Sequence, residues 1–174
     1  MVSVSSPRDM VSADVRELVA AVPDPELPML TLADLGILRE VRVEAGQVTV
    51  WLTPTYSGCP AFAAMRAEVY QRVTAAGYRS VDVLIQLAPP WSSDWITAEG
   101  RRKLAAAGIA PPHPAPQRPA GPVPLTLRPA ARRVVCPQCG SDETVLASTF
   151  GATACTAVHR CRACAESFPR VKEI

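Results

Sequence analysis

Aromatic residues are scarce in this chain, only 5% of 174, so the stacking platforms that hold single-stranded nucleic acid are largely missing. Charge of one sign is missing too. The formal net charge is +2, and Arg132-Arg133 and Arg160-x-Arg162 are local clusters, not a phosphate-binding stripe. No nucleic-acid partner is expected. No apolar run approaches the roughly 18 residues of a membrane-spanning helix, and the N-terminus lacks the basic-then-apolar order of a secretory signal. A cytoplasmic location without a membrane partner is the expectation. What is present is a 48% hydrophobic fraction, enough for a core, and six cysteines, five of them in the last forty residues. In a reducing compartment these read as thiols or metal ligands, not disulfides.

Along the chain, residues 1–10 read as a frayed leader. Ser12 is placed to cap a helix carrying Val15, Leu18, Val19 and Val22 at helical spacing. Pro23-Asp24-Pro25-Glu26-Leu27-Pro28 cannot continue it and reads as a rigid loop. Thr31 caps one further turn, ended by Gly36. Ile37 to Glu44 and Gln47 to Thr53 read as strands around an Ala45-Gly46 turn. Ala61 to Ala76 reads as a helix with Phe62, Met65, Val69 and Val73 on one face, ended by Gly77. Ser80 to Leu87 is a third strand, and Thr97 to Ala107 a last helix before Gly108. The order indicates a small layered α/β (α+β) domain over residues 11–109, with a three-stranded mixed sheet: a hairpin, then a right-handed parallel crossover. Residues 110–131 hold eight of the 18 prolines and read as a semi-rigid spacer. Residues 132–174 form the cysteine module.

That module carries Cys136-Pro-Gln-Cys139-Gly140 and Cys161-Arg-Ala-Cys164, with 21 residues between the pairs. A Cys-x-x-Cys turn aims two sulfurs and several backbone N–H groups at one point, and two such turns make a tetrahedral pocket for a soft cation. With Thr144 to Thr149 and Thr156 to Arg160 as strands, the expectation is a small C-terminal β zinc ribbon whose metal is structural. Four thiolates also suit mononuclear iron or an iron–sulfur cluster. So short a segment has little core of its own, so metal binding supplies folding energy. Cys155 and His159 stand near the second pair in sequence, as a replacement ligand, part of a second labile site, or a buried thiol and its neighbour.

Cys59 lies in Leu52-Thr53-Pro54-Thr55-Tyr56-Ser57-Gly58-Cys59-Pro60, ahead of a helix whose free N–H groups favour a thiolate. Three readings stay open: a nucleophile, a transient metal or cluster ligand, or an inert loop thiol. The first lacks a local base, since His113 falls in the spacer and His159 in the ribbon. Asp24 and Glu26 read either as an acid–base pair or as a structural turn with solvated carboxylates. Trp91 and Trp95, flanked by prolines, read as core or interface anchors.

Asp24-Pro-Glu26-Leu-Pro28, Asp34-Leu-Gly36-Ile and Thr53-Pro-Thr-Tyr-Ser-Gly-Cys59-Pro60 resemble the domain of cytosolic iron–sulfur assembly factors and SufT-like proteins. Joined to a ribbon with Phe150-Gly-Ala-Thr-Ala-Cys155 before Cys161-x-x-Cys164, the chain resembles the PaaD family, accessory proteins of phenylacetate degradation. The resemblance runs from about residue 13 to the C-terminus. It implies a non-catalytic role in making or maintaining metal centres of the multicomponent phenylacetyl-CoA epoxidase. The implied partners are epoxidase subunits or iron–sulfur assembly proteins, and the implied cargo is transient iron or an iron–sulfur cluster. It implies Cys59 as the reactive-loop cysteine, Asp24 or Glu26 as the motif acid, Thr53 beside them, and Cys155 as the extra cysteine. Cys136, Cys139, Cys161 and Cys164 are the implied ribbon ligands. The sequence departs from the family pattern at Thr156, at His159 and at Glu166-Ser167-Phe168.

Overall fold

A computed structural model describes residues 7–56, 58–115 and 133–174. The chain divides into two compact units, residues 1–91 with 95–100, and residues 92–94 with 101–174. The expected spacer therefore lies largely outside the described residues, as does Ser57.

The first unit is a layer of two helices on a three-stranded sheet. Helix α1 spans Pro7–Ala20. It starts ahead of Ser12, so Ser12 is not its cap and residues 7–10 are helical; the Ser12 hydroxyl instead donates to Val41 O at 3.3 Å. Strands β1 (Leu38–Glu44) and β2 (Gln47–Leu52) form an antiparallel hairpin. Its two-residue turn has Ala45 at φ 49 and Gly46 at φ 84, the primed geometry that matches strand twist. Helix α2 (Ala61–Ala75) crosses over to β3 (Ser80–Ile85), which lies parallel to β2 with Val50 opposite Val83. Sheet order is β1-β2-β3. Alternate β2 residues Val48, Val50 and Leu52 are fully buried, as are Val69 and Val73 of α2. The spacing expected for α2 thus delivers the core face it implied.

The loop between α1 and β1 is fastened near its C-terminal end. Thr31 and Asp34 cap one another: Asp34 Oδ2 accepts from Thr31 N and Oγ1 at 3.0 Å each, and Thr31 Oγ1 accepts from Asp34 N at 3.1 Å. Gly36 follows at φ 68. Trp91 Nε1 donates to Leu35 O at 2.8 Å, and the Arg39 guanidinium lies 3.9 Å over the Trp95 ring. Trp91, 5% exposed, is a core anchor, and Trp95 is half-buried under Arg39.

Helix α3 (Ala98–Ala106) is shared between the units, which part after Gly100. The second unit holds an antiparallel sheet of order β4-β5-β6: Thr144–Ser148, Thr156–Cys161 and Ser167–Val171. The third strand is absent from the sequence reading because Pro169 argues against one. The carbonyl of Pro169 points away from β5 and accepts from Ala110 N at 2.9 Å, while Val171 N donates to Ala110 O at 3.0 Å. The imino nitrogen shares that side of the strand, so β5 loses no donor. Ala110 is therefore 2% exposed and part of this unit's core with Val134, Cys136, Cys161 and Phe168. It is not the start of a free spacer.

Candidate functional site

Cys136 and Cys139 stand on the turn before β4, Cys161 ends β5, and Cys164 stands on the turn that follows it. Their four sulfurs all lie within 4.8 Å of one another. Cys136 Sγ is 3.8 Å from Cys164 Sγ, and Cys139 Sγ is 3.6 Å from Cys161 Sγ. An ion bound tetrahedrally to four sulfurs at about 2.3 Å holds them about 3.8 Å apart, so the donor set fits a single caged ion. A two-iron cluster would spread the pairs further.

Backbone donors complete the turns. N–H groups of Cys164 and Ala163 point at Cys161 Sγ and lower that thiol to about 7. The Glu166 N–H favours the Cys164 thiolate, but desolvation and the sulfurs of Cys139, Cys161 and Cys136 outweigh it and push the thiol up to about 12. Ala165 takes φ 62, the left-handed position where glycine is more usual. Cys136 and Cys161 are buried and Cys139 and Cys164 exposed, so one side of the site is sealed by the core and the other faces outward.

Cys155 and His159 stand outside this set. Cys155 precedes β5 and Cys161 ends it, so about 20 Å of extended strand separates them at 3.3 Å per residue. The nearness that made Cys155 a candidate replacement ligand is nearness in sequence only. Its sulfur lies 3.0 Å from Thr153 Oγ1. His159 is 7% exposed and stacks on Phe168 at 6.0 Å between centroids. Burial and then Arg170 lower its pKa. It is a core histidine.

In the first unit, Cys59 sits just before the Pro60 cap of α2. Its N–H donates to Tyr56 O at 3.3 Å and its carbonyl accepts from Phe62 N at 3.2 Å. The side chain is half-buried in a recess of ≈ 290 Å³ lined by Pro54, Gly58, Cys59, Phe62, Ile85 and Leu87. None of these can serve as a general base. Ile85 and Leu87 escaped the sequence reading as site residues. Ile85 ends β3 and Leu87 lies two residues beyond it, and the pairing of β3 with β2 brings them there. A signal was present: apolar residues recur at alternate positions through and past the end of the strand, leaving Ile85 50% and Leu87 64% exposed.

Asp24 is 6% exposed and so not a solvated carboxylate. Its Oδ1 accepts from Glu26 N and Leu27 N at 2.8 Å each, and its own N–H donates to Leu30 O at 2.9 Å. It locks the proline-rich loop. Burial, then the Asp24 charge, raises the pKa of Glu26. Thr53 is 1% exposed, and its Oγ1 has no hydrogen-bond partner. Pro23 and Pro25 line one recess together with Ala64, Met65 and Glu68 of α2, which places the loop near the helix that Cys59 precedes.

No described helix is long and apolar enough to cross a membrane. Residues 12–85 match the family "Iron-sulfur cluster assembly protein", and residues 120–172 match "PaaD zinc beta ribbon domain". A protein of Escherichia coli (strain K12), described as one subunit of a putative 1,2-phenylacetyl-CoA epoxidase, is 38% identical over 161 residues, 91% of each chain. An "Fe-S protein maturation auxiliary factor" of Porphyromonas gingivalis is 32% identical over 93 residues, 52% of this chain and 88% of its own. A crystal structure of a "Domain of Unknown Function DUF59" from Bacillus anthracis shares the fold at TM-score 0.52 and 21% identity, covering 56% of this chain and 93% of that one. With relatives along both halves and one across nearly its whole length, the chain belongs to the PaaD family.

Proposed function

We propose that this chain is a non-catalytic accessory factor of a phenylacetyl-CoA epoxidase that helps assemble iron or iron–sulfur centres, with zinc in the ribbon as a structural ion. The observation that carries the reading is the contrast between two sulfur sites. Four thiolates caged within 4.8 Å grip an ion too firmly to release it, which suits shape and not traffic. Cys59 is single, half-buried and open to an apolar recess, so it supplies one ligand to an iron or cluster whose other ligands come from elsewhere. Weak, incomplete ligation permits hand-over. Asp24 holds the loop through Glu26 N and Leu27 N, and among the described residues Glu26 is the carboxylate of this loop whose oxygens accept from no loop amide. The lack of a base among the described residues lining the Cys59 recess argues against a free-standing thiol enzyme.

The test is the iron content and activity of epoxidase purified from cells whose copy of this chain carries Cys59→Ser. Reduced iron occupancy with unchanged abundance of the variant is expected. Full iron occupancy and full activity would remove the transfer role. A second reading, a docking subunit without metal chemistry, is favoured by the exposure of Ile85 and Leu87. Stable co-purification with oxygenase subunits, indifferent to Cys59→Ala and without any iron defect, would select it.

A further inference from the structure

β3 has β2 on one side and no strand on the other among the described residues. Gln86 N donates to Leu52 O at 2.9 Å, so by alternation residues 82 and 84 also point their amides inward at β2. The amides and carbonyls of Val81, Val83 and Ile85 then face the open edge. Beside that edge runs a groove of ≈ 500 Å³, walled by Ala63, Arg66, Ala67 and Tyr70 of α2 and by residues 81–84 of β3. Ala63 and Ala67 are exposed, and their small side chains let a backbone come close.

The widths of the layers explain the groove. Helix α1 packs on β1 and α2 on β3. Two helices side by side cover about 20 Å, whereas three strands cover about 14 Å. The surplus is about one strand wide, and beside β3 it is open. An unpaired edge under a helical overhang is a template for strand addition.

The same geometry selects the occupant. Antiparallel pairing of β3 with β3 of a second copy would set two α2 axes about 5 Å apart. Packed helices need about 8–10 Å, so a second copy is excluded by its own α2. A lone strand has no such helix. Charge narrows the choice further. Asp82 is engaged by Gln47 Nε2 at 2.8 Å, while Arg66 has no ion-pair partner among the described residues.

We propose that the β3 edge takes an extended segment of a partner protein as a fourth strand, one alternating apolar and polar residues and carrying an acid for Arg66. Ile85 belongs both to this edge and to the wall of the Cys59 recess, so the added strand leads a client to that sulfur. Only this last link rests on the accessory reading above.

The test uses the full chain, isotopically labelled and metal-loaded, with short designed peptides alternating valine with glutamate or valine with lysine. Expected is a binding isotherm for the glutamate peptide, at least tenfold weaker for the lysine peptide. Amide exchange should slow at least tenfold at Val81, Val83 and Ile85 and stay unchanged at Leu84. Ala67→Gln, on an exposed helix face, should weaken binding at least tenfold with the circular dichroism unchanged. Absence of binding, binding indifferent to Ala67→Gln, or edge amides protected by raising protein concentration alone would each overturn the proposal. Cys59→Ser should bind as the parent does. A retained peptide site with no iron phenotype sinks the transfer reading alone, and an iron phenotype without a peptide site sinks this one alone.

Discussion

At the scale of single residues, Asp24 shows how a motif acid and a structural acid coincide. Its carboxylate serves two backbone N–H groups in a buried loop, donors that a proline-rich segment cannot pair by forming a helix or sheet. Asp24→Ala orphans both. A loss of roughly 2–3 kcal/mol follows, read as a lower urea midpoint at unchanged slope. Asp24→Asn keeps an acceptor and should lose about half as much. Were Asp24 a cargo ligand with no structural duty, both variants would retain full stability. Glu26 lacks that tie, so of the two acids it is the one to substitute when function is asked about separately from folding.

At the scale of elements, the loop from Thr31 to Gly36 is held by a mutual cap and closed by a left-handed residue. A Cβ on Gly36 would stand 2.7 Å from Trp95 Cβ and 2.8 Å from Trp95 O, at a φ of +68. Backbone oxygen cannot step aside as a flexible side chain can. Gly36→Ala is therefore expected to destabilise the first unit by about 2–4 kcal/mol, from strain plus overpacking, while Gly46→Ala, with nothing within 4 Å of its Cβ, is limited to the φ penalty. Comparing thermal midpoints of the two variants checks this. Equal shifts would show that contact with Trp95 is not the deciding term.

At the scale of the whole molecule, each unit has its own source of stability. The first buries a continuous aliphatic core, including Val19, Leu30, Leu32, Val50 and Val69 at 0% exposure. The second has a small core in which two of five members are metal-ligand cysteines. Removing the ion with a chelator should abolish exchange protection across β4, β5 and β6 and leave β1, β2 and β3 protected. Unfolded, metal-free thiols have an ordinary pKa of about 8.5 and hold most of their protons at pH 7, whereas zinc takes them as thiolates. Rebinding zinc at pH 7 should thus release at least two protons, so affinity rises with pH and falls in acid. Calorimetry in buffers of different ionisation enthalpy reads the count. One zinc per chain and no acid-labile sulfide in the ribbon would agree. Release of fewer than two protons would mean that fewer thiols bind.

Much of this was written locally. The 3.6-residue spacing of Phe62, Met65, Val69 and Val73 fixed both the existence and the inward face of α2, because periodicity is a property of near neighbours. The two Cys-x-x-Cys turns named their own metal site for the same reason. Local signals also misled: Ser12 resembles a cap inside a helix that starts at Pro7, Pro169 conceals β6, and Cys155 is close to the ribbon ligands in sequence but a strand's length away in space. What tertiary structure alone decided was adjacency. The parallel crossover was legible in the order of elements, but the register that sets Leu52 opposite Ile85 and brings Ile85 to the recess of Cys59 was not, and the mismatch between helix and strand widths left an edge open under α2. Neither depends on a residue's neighbours in the chain, so no pattern of spacing encodes it.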